Sequence, residues 1–142
     1  MSSVGSLPLA QFGFPGTLRD QLTGAILGGT KTSTTGLVED YLHEREPLPT
    51  VGSRSILVDS LDQPLAILEV TDVRVVHLKD VDLAHALDEG EGFATLAEWR
   101  SAHERFWHGP EMRAALEDPS FTVKDETLVV LERFRVLPSD GA

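Results

Sequence analysis

The residues most able to do chemistry lie together at positions 28–36, with the sequence Gly-Gly-Thr-Lys-Thr-Ser-Thr-Thr-Gly. Lys31 offers a cation and Thr34 an alcohol three residues later, a pair that can bind an anion or activate a hydroxyl. The glycines on either side let another molecule approach the backbone closely. Further hydroxyls for ligand contacts come from Thr32, Ser33 and Thr35. The alternative is an ordinary hydroxyl-rich loop, because Ser, Thr and Gly dominate loops.

Two carboxylates stand inside apolar segments that we predict to be strands. Glu69 interrupts a Leu-Ala-Ile-Leu run, and Glu132 lies among the apolar residues of positions 128–137. A buried carboxylate must be paired, hydrogen-bonded or neutral, so each is a candidate for proton transfer. The alternative for Glu69 is a structural bond to backbone amides or to an arginine. The alternative for Glu132 is a pair with Arg133 or Arg135.

A helix that opens with a capping box at Thr95 and Glu98 carries three further candidates. Trp99 and His103 are four residues apart, which places them on one apolar face of this helix. His103 could therefore contact a ligand, or it could be a hydrogen-bonded core histidine. Arg100, next to Trp99, is either a ligand contact or a surface residue.

Periodicity predicts the elements that position these residues. Helical spacing indicates helices over residues 17–27, 37–46, 79–88 and 95–109. Alternation indicates a hairpin of strands 54–59 and 65–70, a continuation through 73–76 beyond a kink, and a last strand at 128–137. The polar segment around Lys31 is predicted to leave the first helix as a loop. Strands flanked by helices, without alternating βαβ units, favour an α+β domain with a small curled or barrel-like sheet.

Length and composition limit the class of protein. The 142 residues fit one domain, which we place at residues 12–137 between a flexible N-terminus, 1–11, and a tail, 138–142. The longest apolar runs fall far short of the roughly 20 residues of a membrane helix, so no membrane partner is expected. The chain has no cysteine and its start lacks the pattern of a secretory signal, which predicts a cytoplasmic protein.

Charge and spacing exclude several kinds of partner. A formal net charge of −11 argues against binding duplex DNA, which requires a basic surface. The acidic residues concentrate at positions 79–98, whereas Asp20 is the only one in positions 1–36, so a small anionic or polar ligand could still reach Lys31. His103 and His108 are five residues apart and do not share a helix face. No metal-ligand spacing or nucleotide signature is present, and no metal or cofactor is predicted.

Six segments occur in a characteristic order. They are Gly-Thr-Lys-Thr-Ser-Thr at 29–34, Glu-Pro-Leu-Pro-Thr-Val-Gly at 46–52, Glu69, Glu-Gly-Glu-Gly at 89–92, Trp-Arg-Ser-Ala-His-Glu-Arg-Phe at 99–106 and Val-Val-Leu-Glu-Arg-Phe at 129–134. Together, over about residues 12 to 137, they resemble the ASCH domain family. This resemblance implies a PUA-like fold, a small β-barrel with flanking helices, of a kind that binds RNA or modified nucleosides. Some members are amidohydrolases that remove the acetyl group from acetylated cytidine, and others are ribonucleases or RNA-binding regulators.

The resemblance also implies roles for individual residues. In the amidohydrolase branch, catalysis rests on the lysine and threonine of a Gly-x-Lys-x-x-Thr loop and on a glutamate of a barrel strand, which match Lys31, Thr34 and Glu69. Gly36 departs from the pattern, since several members carry arginine there, and the hypothesis that follows is a different substrate. Lys31 could act as the base if burial lowered its pKa. It could instead stabilise charge while Glu69 moves the proton.

We therefore predict that a nucleoside or a short single-stranded RNA binds in a cleft lined by the Lys31 segment, Glu69 and the Trp99 helix. The predicted ligand contacts are Thr32, Ser33, Thr35, Tyr41, Trp99, Arg100, His103, Glu132 and Arg133. One alternative is a non-catalytic RNA-binding module or a ribonuclease, and another is a protein-interaction domain that uses the acidic residues 80–98. A lysine in an open cleft predicts that Lys31→Met changes stability by less than about 1 kcal/mol.

Overall fold

The structure, a computed structural model, describes residues 7–138 as a mixed α+β domain. Its strands are β1 (Leu9–Ala10), β2 (Ser33–Leu37), β3 (Arg54–Val58), β4 (Pro64–His77) and β5 (Leu128–Val136). Its helices are α1 (Thr17–Leu27), α2 (Val38–Glu44), α3 (Leu83–Asp88), α4 (Leu96–Trp107) and α5 (Pro110–Ala115), with a 3₁₀ turn at Leu78–Asp80. In the described residues, no helix is long and apolar enough to cross a membrane.

The five strands form one sheet in the order β1-β3-β4-β5-β2. The predicted β3–β4 hairpin is confirmed, and β4 continues as one strand that pairs with β5 along most of its length. The predicted kink is also confirmed, because the register between β4 and β5 shifts between Val70 and Asp72. Such a shift bends the strand and increases its twist.

The expected barrel closure is not observed, since the sheet is open. β1 lies at one end and β2 at the other, and no pairing joins them within the part of the chain that is described. The outer edge of β2 is covered by other groups instead. The backbone N–H of Thr32 donates to the carbonyl of Asp88 over 2.9 Å, and Lys31 Nζ donates to the carbonyl of Ser33 over 2.8 Å. One backbone carbonyl at the start of β2 and the N–H of the residue before it are therefore already engaged.

Several elements differ from the sequence prediction, among them the predicted helix over 79–88, which is a 3₁₀ turn at Leu78–Asp80 followed by the separate helix α3. The segment after Lys31 is the strand β2 and not a loop, and it pairs in register with β5. Leu9–Ala10 forms β1 beside β3, so ordered structure begins before residue 12, while residues 1–6 and 139–142 lie outside the described residues. The short helix α5 was not predicted, although Pro110 at its first position is a common helix start.

Apolar side chains cover both faces of the sheet. Leu131 and Phe134 of β5 are an odd number of positions apart, so they point to opposite faces. The larger cluster lies beneath α3, α4 and α5 and contains Leu37, Leu78, Val81, Ala86, Trp99, Trp107, Met112, Leu116, Val123, Val129 and Leu131. The smaller cluster contains Ile26, Leu57, Leu68 and Phe134. Burial on both faces holds β2, the strand next to β5, in a fixed position relative to α3 and α4.

Leu68→Ala is expected to lower the free energy of unfolding by about 2–5 kcal/mol, because Leu68 is 3% exposed and its loss leaves a cavity in the smaller cluster. Leu65→Ala is the matched control on the same strand, since Leu65 is 39% exposed and should cost less than about 1 kcal/mol. Urea unfolding of both variants measures the difference. Equal losses would contradict the assigned inward face of β4.

Candidate functional site

Glu89 is a buried carboxylate directly after α3, with its side chain 1% exposed. The Thr35 hydroxyl donates to its Oε2 over 2.6 Å, and His85 Nε2 lies 3.2 Å from the same oxygen. His103 Nε2 lies 3.0 Å from Oε1. Burial alone would raise the pKa of Glu89, but the hydrogen bonds from His103 and His85 outweigh it and hold this pKa well below its usual value. Glu89 is therefore ionised.

Lys31 is the cation beside this carboxylate, and its side chain is equally buried. Its Nζ donates to the carbonyl of Ser33 over 2.8 Å, to Glu91 Oε2 over 3.1 Å and to the carbonyl of Glu89 over 3.4 Å. The three hydrogens of an ammonium group thus have three acceptors. This environment fits a charged lysine, so of the two alternatives left open by the sequence the geometry favours charge stabilisation over base catalysis.

His103 of α4 makes a further contact with the Glu89 carboxylate. Its Nδ1 lies 2.9 Å from the carbonyl of Trp99, and its Nε2 lies 3.0 Å from Glu89 Oε1. Both partners are acceptors, so His103 joins the backbone of α4 to the Glu89 carboxylate. Lys31, His103, Glu89 and Glu91 thus form one connected set of ionisable side chains. We call these four residues, with Thr35 and His85, the Glu89 cluster.

The turn between α3 and α4 is clamped against the residues that precede β2. Gly90 has φ +68°, and a Cβ added there would lie 2.2 Å from the carbonyl oxygen of Thr30. The Ser33 hydroxyl donates to the carbonyl of His85 over 3.1 Å, and the Thr32 hydroxyl to that of Asp88 over 3.4 Å. These predicted ligand contacts therefore serve to attach α3 to the edge of the sheet.

Thr34 points to the other face of β2, where it lies directly opposite Glu132 of β5. Opposed residues of antiparallel strands have Cβ atoms about 4.5–5.5 Å apart. Tyr41 of α2 covers the same face, since a Cβ at Gly36 would lie 3.2 Å from its ring. Burial raises the pKa of Glu132 to about 7, against a lowering influence of Lys31. Burial and then the charge of Glu132 raise the pKa of Tyr41.

Glu69 does not lie in contact with Lys31. Arg54 Nε donates to its Oε2 over 3.1 Å and Arg135 Nη2 to its Oε1 over 2.8 Å. Hydrogen bonds from Arg135 and then Arg54 hold the pKa of Glu69 below its usual value. The structural alternative, a carboxylate tied to arginine, is what the structure shows. The glutamates in contact with the Lys31 side chain are Glu89 and Glu91.

The remaining predicted ligand contacts are engaged within the fold. Trp99 is 1% exposed, and its ring stacks on His103. Arg100 Nε donates to Glu104 Oε2 over 2.8 Å, and Arg133 Nη2 lies 2.7 Å from Asp88 Oδ2. Of the predicted set, the structure thus joins Lys31, Thr35 and His103 in the Glu89 cluster. It joins Thr34, Tyr41 and Glu132 on the opposite face.

The model of the ASCH domain family matches residues 9–138. The chain belongs to the ASCH domain family. A crystal structure of an Enterococcus faecalis V583 protein is similar to this ASCH domain, with a TM-score of 0.78, 29% identity and coverage of 92% of this chain and 76% of that one. The crystal structure of an ASCH domain from Lactobacillus crispatus JV V101 has a TM-score of 0.76, 27% identity and coverage of 91% and 78%. No curated protein matches the chain.

Three central residues of this ASCH domain were not among the predicted site residues: His85, Glu89 and Glu91. Glu-Gly-Glu-Gly at 89–92 was identified as one of the six segments of the family resemblance, but its carboxylates were given no role in the site. The available signal for these residues was a pair of carboxylates on either side of a glycine, shortly before a capping box. Among residues 7–138, no group of three His, Asp or Glu side chains is arranged to hold a metal ion.

Lys31→Met is expected to lower the free energy of unfolding of the ASCH domain by about 3–5 kcal/mol, because it leaves Glu89 buried without its cation. This replaces the small effect predicted from the sequence. Lys79→Met, at an exposed lysine, is the matched control and should change stability by less than about 0.5 kcal/mol. Chemical denaturation at neutral pH compares the two. A Lys31→Met protein as stable as the control would show that Lys31 is not buried with Glu89.

Glu132→Gln is expected to stabilise the ASCH domain in a pH-dependent way. A native pKa of about 7, above the ordinary 4.5, means that folding favours the protonated form, so stability from Glu132 is lost as pH rises from about 4.5 to about 7. The amide removes this loss, and the free energy of unfolding should rise by about 1–3 kcal/mol at pH 8 but change little at pH 5. Exposed Glu126→Gln is the control. A gain that is equal at both pH values would contradict the assignment.

Proposed function

We propose that this ASCH domain binds a nucleoside, free or within a short single-stranded RNA, at the outer edge of β2 and hydrolyses the amide of acetylated cytidine there. The observation that carries the proposal is that polar and charged groups flank β2 on its two faces, with the charge of Lys31 acting on Glu132, the residue opposite Thr34. Lys31 provides a charged ammonium, Thr34 a hydroxyl, and Glu91 and Glu132 two carboxylates whose pKa values burial raises.

The groups divide the proposed reaction between them. Lys31, held as a cation, stabilises the oxyanion that forms when the acetyl carbonyl is attacked. Glu132 has a pKa near the working pH and lies opposite Thr34, so it accepts the proton of the Thr34 hydroxyl as that oxygen attacks the carbonyl carbon. The C–N bond then breaks, the amine leaves with that proton, and water releases acetate from Thr34.

A non-catalytic RNA-binding module is the second candidate. The observation that favours it is the complete set of acceptors around Lys31, because an oxyanion can bind Nζ only when Glu91 releases it. In this case the edge of β2 binds a base and catalyses no reaction. Hydrogen-bond donors and acceptors at the edge of an unstacked base are what such a site would recognise.

The decisive measurement is the release of cytidine from cytidine acetylated on its exocyclic amine, followed by chromatography. We expect release by the unaltered protein and a 10²- to 10⁴-fold slower reaction for Thr34→Val and Glu132→Gln, the range for loss of a general base or its nucleophile. Thr122→Val, at an exposed threonine, is the matched control. Binding without release would support the non-catalytic module, and neither binding nor release would overturn both candidates.

Salt dependence separates a nucleoside from a phosphate-bound RNA in the same assay. Stacking and hydrogen bonds to a nucleoside release few counterions, so affinity should change little between about 50 and 200 mM salt. Contacts to about six or more phosphates would weaken binding by roughly 10³-fold over this range. A net charge of −11 leads us to expect the shallow dependence.

A further inference from the structure

A cavity of about 570 Å³ lies beside α5. This volume is within the range of about 300–1,000 Å³ that is usual for small-molecule sites. The described residues that line it come from the end of α4, from α5 and from the turn after α5: His108, Pro110, Arg113, Ala114, Glu117, Asp118 and Pro119. None of them belongs to the Glu89 cluster or to the face of β2 that carries Thr34. The cavity is therefore separate from the site of the proposed function.

The half-buried part of the lining offers hydrogen-bond donors. The N–H of Val123 donates to His108 Nε2 over 3.0 Å, so the neutral His108 ring carries its proton on Nδ1. Arg113 Nε donates to the carbonyl of Phe121 over 2.9 Å, which holds the guanidinium in place. Within residues 7–138, no protein acceptor bonds to His108 Nδ1 or to the two Nη groups of Arg113. A guanidinium with free N–H groups is the usual partner of a carboxylate.

The exposed rim of the cavity offers hydrogen-bond acceptors. The Glu117 side chain is 79% exposed, and its Oε1 lies 3.1 Å from His43 Nε2. Asp118 Oδ1 accepts from the backbone N–H and the hydroxyl of Ser120 over 3.1 and 3.2 Å. Each carboxylate therefore keeps its other oxygen for a further donor. An ammonium group, which has three hydrogens to donate, suits two neighbouring carboxylates.

Opposite charges line this cavity without pairing to each other. Glu117 follows Arg113 by four residues, a spacing that brings two side chains together on a helix. Nevertheless, among the described residues no ion pair joins Arg113 to Glu117 or to Asp118, and the contacts of all three lie elsewhere. The two carboxylates disfavour a ligand that is only anionic, and the guanidinium disfavours one that is only cationic. A ligand with one charge of each sign satisfies both.

We propose that this cavity binds a free α-amino acid with an apolar side chain. The α-carboxylate of the ligand accepts from the Arg113 guanidinium and from His108 Nδ1. The α-ammonium donates to Glu117 and Asp118 at the rim. This binding site is independent of the nucleoside chemistry at β2, and it gives the ASCH domain a second small-molecule ligand.

The apolar part of the lining selects the side chain of the ligand. Pro110 begins α5, Ala114 lies one helical turn later, and Pro119 follows the helix. All three are exposed, so an apolar side chain that covers them removes apolar surface from water on both sides. The proline rings have a fixed φ, and a wall of this kind loses little conformational entropy on binding. A charged side chain would lose its hydration there without gaining a partner.

The test begins with isothermal titration calorimetry of the unaltered protein and four ligands. L-Leucine is the probe, L-leucinamide lacks the carboxylate, and N-acetyl-L-leucine lacks the ammonium. We expect L-leucine to bind and each analogue to bind roughly 10-fold more weakly or worse, the range for loss of a hydrogen bond to a charged group. L-Lysine, which retains both α-groups, should bind more weakly because its side chain is charged.

Variants then assign each charge of the ligand to its partner. Arg113→Gln should remove the preference for L-leucine over L-leucinamide, because no guanidinium remains to recognise the carboxylate. The double variant Glu117→Gln with Asp118→Asn should remove the preference for L-leucine over N-acetyl-L-leucine. Arg105→Gln and Glu111→Gln, at exposed residues of α4 and α5, are matched controls that should keep every affinity within about twofold, since distant sites act independently. Thermal unfolding checks that each variant is folded.

The proposal is overturned if the unaltered protein does not bind L-leucine. Equal binding of L-leucinamide overturns the contact of the carboxylate with Arg113, and equal binding of N-acetyl-L-leucine overturns the contact of the ammonium with the rim. If L-lysine binds as tightly as L-leucine, the selection by the apolar wall is overturned. These comparisons use the unaltered protein, so they decide even if a variant does not fold. Arg113→Gln should leave the release of cytidine unchanged, which separates this site from the proposed function.

Discussion

The buried charge of Glu89 is the constraint on which the rest of the structure depends. Removing a carboxylate from water costs several kcal/mol unless charges and hydrogen bonds compensate. The compensation comes from Lys31 before β2, Thr35 within β2, His85 in α3 and His103 in α4. Because these donors belong to different elements, one carboxylate fixes two helices against the edge of the sheet.

Features of the fold that depend on local pattern were predictable from the sequence. The capping box at Thr95 is present, with the Thr95 hydroxyl accepting a hydrogen bond from the N–H of Glu98. The hairpin was predicted from the alternation of apolar and polar residues, and the kink in β4 from the point where this alternation is interrupted. β2 was not predictable in this way, because Ser, Thr and Gly in succession are typical of a loop. Its strand conformation comes from pairing with β5, about a hundred residues further along the chain. The prediction of a closed barrel was wrong for a related reason, because α3 covers the edge of β2 that a closing strand would use.

The sequence predicted which types of residue form the site, but it predicted less well which of these residues contact one another. Lys31 was identified from its neighbours, yet its burial depends on Glu89 and Glu91, which lie 58 and 60 residues away. Glu69 was expected near Lys31 because the family resemblance implied a shared catalytic role, but its position in β4 places it between Arg54 and Arg135 on adjacent strands. A single sequence specifies which residues face one side of a strand. It does not specify which distant charge reaches them.

The covered edge of β2 also bears on how the molecule behaves beside its own copies. An outermost strand with free backbone groups is a template on which a strand of another polypeptide can add, and sheets grow into aggregates by such addition. β2 has five residues, and the Lys31 side chain already occupies the carbonyl of its first residue, Ser33. A lysine folded back along an edge strand is a barrier to intermolecular pairing. The cation that marks the candidate site therefore also limits growth of the sheet at this side.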